Sequence, residues 1–344
     1  MTWIAVDAMG GDDGPATVVD GALAASRHFD LGVALVGPAG RLEEEVARHA
    51  GADPARVRIV HAAEVVGMAE SPSAALRRKP DASIRVAAGT VARGEAAALF
   101  SAGHTGATVM AAHAAFGMLR GVDRPALAAT IPTRRGPALL LDVGASVECR
   151  PAHLLQFAIM GAAYARVAFD VEQPRVALLS IGEEATKGNE LTREAHQLLK
   201  ASPLAFIGNL EARDLYSGGA DVIVCDGFTG NVALKVSEGL VEMVEDRLRE
   251  ELSSTLTMRV GSLLTRRALR HFRKRVDYSE YGGAPLLGLT GIAVVGHGRS
   301  SAKAVRNAVA MAYRFASSRF IDRVEHDIAA APATITPGGG APRA

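Results

Sequence analysis

Cysteine, aromatic residues and net charge are all scarce in this chain of 344 residues, and each scarcity excludes a class of protein. The two cysteines, Cys149 and Cys225, provide neither a disulfide framework nor a CxxC pair for zinc, so we predict unreactive buried thiols in a reducing cytoplasm. The 38 basic and 37 acidic residues leave a net charge of +1, which gives no overall field for nucleic acid. Aromatic residues make up 5% of a chain that is 49% hydrophobic, so its core must be mainly aliphatic.

Long apolar runs and common catalytic motifs are absent as well. No apolar run approaches the ~18 residues of a membrane-spanning helix. The first run ends at Asp7 with no basic segment before it, which favours a strand over a signal peptide. The motifs GxSxG, GxxxxGKS/T, GxGxxG and HExxH are missing, which disfavours serine catalysis, ATP hydrolysis and zinc hydrolysis. What remains is a site that holds a small anion and stabilises an oxyanion through backbone donors.

Short apolar runs recur along the chain, and most of them end in glycine. They read WIAVDAMGG, LGVALVG, RVRIVHA, AAALFSAG, PALLLDVGA, RVALLSIG, DVIVCDG and GIAVVGHG. Runs without polar alternation are typical of strands that are covered on both faces. Helix-like segments lie between them, at 151–167, 191–199, 231–252 and 300–315. This alternation predicts a three-layer α/β fold with a mostly parallel sheet.

We predict one α/β catalytic domain over residues 1–328, followed by a Pro- and Gly-rich tail at 329–344 that is expected to be disordered. Residues 236–280 break the alternation, because an acidic amphipathic helical pattern is followed by a basic one at 256–275 without a strand between them. This helical excursion can contact an anionic membrane, dock an acidic carrier protein, or simply pack in a core or dimer. Its candidate contact residues are Leu263, Leu264, Arg266, Arg267 and Arg270.

Four glycine-containing loops follow predicted strands, and in open α/β sheets ligands bind beyond the carboxyl ends of the strands. Turn geometry alone also explains a glycine at such a point, whereas histidines flanked by glycine point more strongly to function. The candidates are Gly103, His104, Thr105 and Gly106 in SAGHTGA; Asp226, Gly227, Thr229, Gly230 and Asn231 in DGFTGN; Lys187 in SIGEEATKGNE; and His297 in VVGHGRSSAK, where Ser300 or Ser301 caps the next helix. Together these loops supply an anion cradle, a cation and two imidazoles.

Nine motifs in this order resemble the bacterial acyl-ACP:phosphate acyltransferases of phospholipid synthesis. The resemblance runs from about residue 3 to about residue 315, with the helical excursion and the tail outside it. The motifs are DAMGGDDGP at 7–15, SPSAALRRK at 71–79, SAGHTGA at 101–107, LLDVGASVECRP at 140–151, QFAIMGAAYA at 156–165, VALLSIGEEATKGNE at 176–190, FIGNLEARDL at 206–215, CDGFTGNVALK at 225–235 and YGGAPLLGLTG at 281–291.

The resemblance implies transfer of a long-chain acyl group from acyl carrier protein to inorganic phosphate. It implies a fold similar to phosphotransacetylases and to isocitrate and isopropylmalate dehydrogenases, a homodimer, and a cytoplasmic enzyme with peripheral contact to an anionic membrane. The product would feed a membrane glycerol-3-phosphate acyltransferase. No metal or redox cofactor is expected, because phosphate is itself the nucleophile.

Residue types suggest roles within that reaction. We expect the N–H groups of 103–106 and 227–231, with Thr105 and Thr229, to bind phosphate or the oxyanion, and Lys187 to balance the phosphate charge. His297 or His104 can protonate the departing sulfur, Asp226 can orient one of these groups, and Asn209 in FIGNLEARDL is a further substrate-binding candidate. His104 replaces the asparagine of the family's usual SAGNTGA, which speaks against an obligatory proton transfer at that position.

Two other functions compete with this one. A phosphotransacetylase that uses acyl-CoA would differ mainly in its thiol carrier, which the sequence reports poorly. A non-catalytic, acyl-carrier-binding membrane adaptor would gain nothing from the preserved glycine loops.

Overall fold

The computed structural model describes residues 1–254 and 282–330, which form helices on both faces of one mixed sheet. The basic segment at 256–275, with all five of its candidate contact residues, lies outside the described residues, and so do 331–344. The strands are β1 (Thr2–Asp7), β2 (Leu31–Gly37), β3 (Val57–His61), β4 (Ala98–Ser101), β5 (Ala126–Thr133), β6 (Gly136–Leu141), β7 (Arg175–Ser180), β8 (Ala205–Glu211), β9 (Val222–Val224), β10 (Ala284–Leu287) and β11 (Ile292–Val295).

The helices include all four segments that were predicted from the sequence. They are α1 (Pro15–His28), α2 (Ala39–Ala47), α3 (Pro72–Arg78), α4 (Ser83–Ala92), α5 (Thr105–Phe116), α6 (Pro151–Ala168), α7 (Glu190–Lys200), α8 (Gly227–Ser253), α9 (Ala302–Ser317) and α10 (Phe320–Ala329). None of the helices in the described ranges combines the length and the hydropathy that crossing a membrane requires.

The sheet has the strand order β3-β2-β1-β4-β11-β10-β5-β6-β9-β7-β8. β10 is antiparallel to both of its neighbours and β5 is antiparallel to β6. The other seven pairs within the described residues are parallel, which confirms the mostly parallel α/β fold.

Strand direction divides the sheet into two sets. β1 to β5 and β11 run one way, whereas β6 to β10 run the opposite way. We call the edge at the carboxyl ends of the first set the first edge, and the edge at the carboxyl ends of the second set the second edge. Loops that follow strands of different sets therefore lie at opposite edges.

Side chains of each strand alternate between two aliphatic cores, one on each face of the sheet. Ile4 and Val6 of β1 point into the core beneath α1, α6, α9 and α10, whereas Ala5 points into the core beneath α4 and α5. All seven residues of β2 are buried, as expected for a strand that helices cover on both faces. This packing fixes the strand ends and so positions the loops that follow them.

Candidate active site

Three loops pack against one another at the first edge. The Gly296 N–H donates to Ser101 O at 2.8 Å, and the Asp12 N–H donates to Gly298 O at 2.8 Å. Gly10 lies directly against Gly103, so that a methyl group added to Gly10 would overlap the Gly103 nitrogen. The loops after β1, β4 and β11 thus form one unit.

The buried carboxyl group of Asp7 stabilises this unit of three loops. Ser101 Oγ donates to Asp7 Oδ2 at 2.7 Å and accepts the Gly103 N–H at 3.1 Å. Burial raises the pKa of the Asp7 carboxyl, while hydrogen bonds from Ser83, Ser101 and the Met9 N–H oppose the shift. Gly103, a predicted phosphate donor, therefore already uses its N–H within the loop.

His104 caps helix α5. Its Nδ1 accepts the Gly106 N–H at 3.1 Å, so Nδ1 carries no proton in this arrangement and the Gly106 N–H is occupied. Thr105, the first residue of α5, is exposed, and its N–H belongs to the first helical turn, which has no intrahelical acceptor. The sequence predicted an anion site over 103–106. Because the N–H groups of Gly103 and Gly106 are used within the loop, the predicted site is confined to the start of α5 at Thr105.

Substitutions of His104 distinguish a role in capping helix α5 from a role in proton transfer. We expect His104→Asn to retain the cap and to leave both activity and stability close to those of the unaltered protein, because asparagine is among the best N-cap residues. His104→Ala should lower the free energy of unfolding by about 1 kcal/mol. Denaturant unfolding and turnover of both variants test this, and a large activity loss in His104→Asn alone would assign the imidazole to the chemistry.

The N-terminal ends of three helices lie at the first edge. α9 is capped by Ser301, whose Oγ accepts the Ala304 N–H at 3.2 Å, and α1 begins after Gly14, which provides no side-chain cap. Together with α5, these helices direct first-turn N–H groups and positive dipole ends to the same edge, the usual setting for a bound anion.

His297 is half-buried in the loop before α9, and its Nδ1 accepts the Arg299 N–H at 3.2 Å. The neutral ring therefore carries its proton on Nε2, the nitrogen that can serve as a donor. The Arg299 side chain pairs with Glu242 of helix α8 at 2.7 Å, so this helix returns to the first edge.

The second edge is organised by Asp142, which is completely buried. Its Oδ1 accepts the N–H groups of Leu127, Gly144 and Ala145, and its Oδ2 accepts that of Ser146. Burial raises the pKa of this carboxyl, and the four backbone donors oppose the rise. The side chain thereby fixes the loop between β6 and α6.

DGFTGN begins helix α8 at this second edge, and most of its donors are occupied. Asp226 Oδ1 accepts the Thr229 N–H at 2.9 Å, and Asp226 Oδ2 accepts the Thr229 hydroxyl at 2.7 Å. The Gly227 N–H donates to Ser146 O and the Gly230 N–H to Asp226 O, while Asn231 lies beside Gly144. A carboxylate thus occupies the helix start where the sequence suggested a phosphate.

Lys187 and Asn209 also lie at the second edge. The Lys187 side chain is exposed in the loop between β7 and α7. The backbone N–H of Lys187 donates to Glu184 O. Asn209 holds that loop in place, since Nδ2 donates to Glu184 O at 2.9 Å and Oδ1 contacts His196 Nδ1 at 2.9 Å. Asn209 therefore positions the loop that carries Lys187, and its contact with a substrate stays a prediction.

The two thiols lie near this edge. Burial raises the pKa of Cys149 to about 12 and also raises that of Cys225, so both stay protonated near neutral pH. Cys225 is buried, but Cys149 is only half-buried, contrary to the sequence-based expectation.

The structure brings His104 and His297 to one edge, and it brings Lys187, Asn209 and Asp226 to the other. Sequence reasoning missed Asp7, Ser101 and Asp142, although an acid directly after an apolar run was a visible signal for two of them. Across residues 1–254 and 282–330, no group of three or more His, Cys, Asp or Glu side chains is arranged to hold a metal ion.

Known proteins resemble the chain over almost its full length. The family model described as fatty acid synthesis protein matches residues 2–323. A phosphate acyltransferase of Geobacter sulfurreducens is 50% identical over 333 residues, 95% of each chain. Another, from Nitratidesulfovibrio vulgaris, is 52% identical over 330 residues, 96% of this chain and 95% of the relative.

Solved structures resemble the fold as well. A phosphotransacetylase from Streptococcus pyogenes superimposes with a TM-score of 0.61 at 18% identity, covering 92% of this chain and 94% of its own. At that identity the likeness concerns the fold alone. Because the family model and the relatives at 50–52% identity agree, the chain belongs to the family of phosphate acyltransferases and is an enzyme of the acyltransferase class.

Proposed function

We propose that this enzyme transfers a long-chain acyl group from acyl carrier protein to inorganic phosphate. A phosphate oxygen attacks the thioester carbonyl carbon, the resulting tetrahedral oxyanion collapses with cleavage of the C–S bond, and the thiolate takes up a proton. The products are acyl phosphate and the free carrier thiol. The observation that carries the proposal is that three helix N-termini and the His297 imidazole lie at the first edge.

The first edge suits phosphate better than the second edge does. Helices α1 and α5 direct first-turn N–H groups there, and Lys303 in the first turn of α9 adds a positive charge, whereas the charge of Arg299 is paired with Glu242. At the second edge, the start of α8 is occupied by the Asp226 carboxylate. We therefore place phosphate and the oxyanion beside Thr105, with His297 Nε2–H as the donor to the departing sulfur.

The residues of the second edge support the reaction indirectly. Gly227, Thr229, Gly230 and Asn231 shape the start of α8, and Asn209 fixes the loop that carries Lys187. Direct contact of these second-edge residues with phosphate stays a prediction from the sequence.

We further propose a cellular location and an assembly for the enzyme. It acts in the cytoplasm as a homodimer in peripheral contact with an anionic membrane, and its acyl phosphate is consumed by a membrane glycerol-3-phosphate acyltransferase. The basic segment at 256–275 supplies the arginines for contact with the membrane or with the acidic carrier.

If this segment contacts the membrane, substitutions that remove the positive charges of Arg266, Arg267 and Arg270 should abolish binding of the enzyme to anionic vesicles.

Incubation of the purified enzyme with palmitoyl–acyl carrier protein and inorganic phosphate tests the reaction. Acyl phosphate is trapped as a hydroxamate by hydroxylamine, and a sample without phosphate is the control. We expect hydroxamate that depends on phosphate. The absence of product from a folded enzyme that binds the carrier would reject this substrate.

An acyl-CoA substrate is the second candidate, because the similar solved fold is that of a phosphotransacetylase. The same assay with palmitoyl-CoA decides between the two carriers. A higher kcat/KM for the CoA thioester would replace acyl carrier protein as the donor.

A further inference from the structure

A cavity of about 660 Å3 opens at the second edge between the carboxyl ends of β7 and β9 and the first turns of α8. Its volume lies within the ~300–1,000 Å3 of small-molecule sites. Most of its lining is apolar, and the principal side chains are Leu179, Leu215, Tyr216, Val232, Ala233 and Val236. Of the site residues predicted from the sequence, Asp226 and Thr229 line the cavity, and both are polar, so they do not account for its apolar lining.

The charges around the cavity exclude an anionic ligand. None of the described residues that line it is Lys, Arg or His, and its one carboxylate, Asp226, is held by Thr229. A nucleotide or a phosphorylated carrier arm would meet the Asp226 carboxylate with no cation in the lining, because Lys187 of the neighbouring loop is exposed and does not line the cavity. A neutral, largely apolar occupant fits.

Helix α8 connects this cavity to the first edge. Val232 and Val236 line the cavity, and Glu242, six and ten residues further along, pairs with Arg299 of the first-edge loop. At ~1.5 Å per residue the separation along the helix is about 9–15 Å. Leu240 lies between Val236 and Glu242, and Met243 directly follows Glu242. Their side chains are 56% and 50% exposed, so apolar surface extends along the helix from the cavity to Glu242.

We infer that the cavity holds the methyl-terminal part of a long acyl chain whose thioester reacts at the first edge. This inference rests on the proposed function for the identity of the chain. The path along α8 separates the polar reaction at one edge from the apolar tail at the other. An acyl group that is too short to follow the path leaves the cavity empty and loses its contribution to binding.

One atom of the cavity wall discriminates an apolar chain from a polar ligand. Ser180 Oγ is buried and has no hydrogen-bond partner among the described residues. A polar ligand would pair with this hydroxyl, whereas a hydrocarbon cannot. Ser180→Ala should therefore leave the binding of a long acyl chain within about twofold of the original value.

The test measures binding of two thioesters by calorimetry without phosphate, the palmitoyl and octanoyl thioesters of N-acetylcysteamine. Each buried methylene contributes roughly fourfold in affinity, the equivalent of ~0.8 kcal/mol, so the palmitoyl thioester should bind at least ~10-fold more tightly. Val236→Glu places a carboxylate at the cavity rim on a residue that is 65% exposed, which spares the fold. We expect it to weaken palmitoyl binding at least ~10-fold and octanoyl binding less than ~2-fold.

Leu248→Glu is the matched control, because it adds the same charge to an exposed apolar position of the same helix, beyond Glu242. It should leave both affinities unchanged, and thermal melting confirms that each variant is folded. An unchanged palmitoyl preference in Val236→Glu, equal losses in both glutamate variants, or weaker palmitoyl binding in Ser180→Ala each overturns the inference.

The hydroxamate assay separates this inference from the proposed function. If the original enzyme forms acyl phosphate but Val236→Glu binds palmitoyl normally, the reaction stands and the cavity is not the tail site. If no acyl phosphate forms but the palmitoyl preference depends on Val236, the cavity binds acyl chains and the proposed reaction fails.

Discussion

Gly230→Ala is expected to lower the free energy of unfolding by about 3 kcal/mol or more. A methyl group at this position would lie near Cys225 Sγ, at 2.8 Å, and closer still to the backbone oxygen of Asp142. Asp142 cannot move away easily, because its carboxylate holds four backbone N–H groups of its loop. The overlap must therefore displace the start of α8 from the sheet. Chemical denaturation measures the loss.

Gly239→Ala is the matched control in the same helix. A methyl group at Gly239 would meet no atom within 4 Å. Alanine is the better helix former, so this variant should be more stable by ~0.5–1 kcal/mol. Equal effects of the two substitutions would show that helix propensity, and not the contact with Asp142, governs Gly230.

His297→Ala is expected to lower kcat by about 100-fold or more, the usual scale for loss of a general acid. The Arg299 N–H donates to Nδ1 of the ring, so the neutral ring carries its proton on Nε2, and we propose that this nitrogen protonates the departing sulfur. Stability should change little, because the ring is only half-buried. Steady-state kinetics with palmitoyl–acyl carrier protein and phosphate measure the loss.

The leaving group shows whether His297 acts as an acid. An aryl thioester releases a thiolate that needs no proton, so His297→Ala should regain most of its rate with that substrate. Lys187→Ala is the comparison from the second edge. If phosphate binds at the first edge, kcat should change less than about threefold, whereas the role of Lys187 predicted from the sequence, balancing the phosphate charge, requires a large loss of kcat with little loss of stability. A large loss in Lys187→Ala would instead bring the second edge into the phosphate site.

Apolar runs predicted most of the sheet, but three strands escaped. β5 contains Pro132, β8 contains Gly208, and β10 contains Pro285, and such residues normally argue against a strand interior. In β8 exposed and half-buried positions also alternate at its start, and the apolar run at 204–207 is short before Gly208 and Asn209 interrupt it. Two of these strands, β5 and β10, form the antiparallel pairs that reverse half of the sheet.

The candidate site was also predicted only in part, because the missed strands decide at which edge of the sheet each loop lies. Residue types identified the loops, since a glycine between a strand and a helix is visible in the sequence. Their separation into two edges depends on strand direction, which is decided by β10 pairing between β11 and β5. Which N–H groups are already occupied depends on side chains such as Ser101 and Asp226 and appears only in the folded loop.

The central position of β10 and β11 has a consequence for synthesis of the chain. These strands separate β4 from β5, yet they follow β5 by roughly 150 residues in sequence, which a ribosome adds in about 10–30 s. During that time one side of β4 and one side of β5 have no partner, and unpaired strand edges promote aggregation. We therefore expect the nascent chain to be prone to aggregation until its final strands emerge, and a chain that stops before residue 284 leaves the sheet in two pieces.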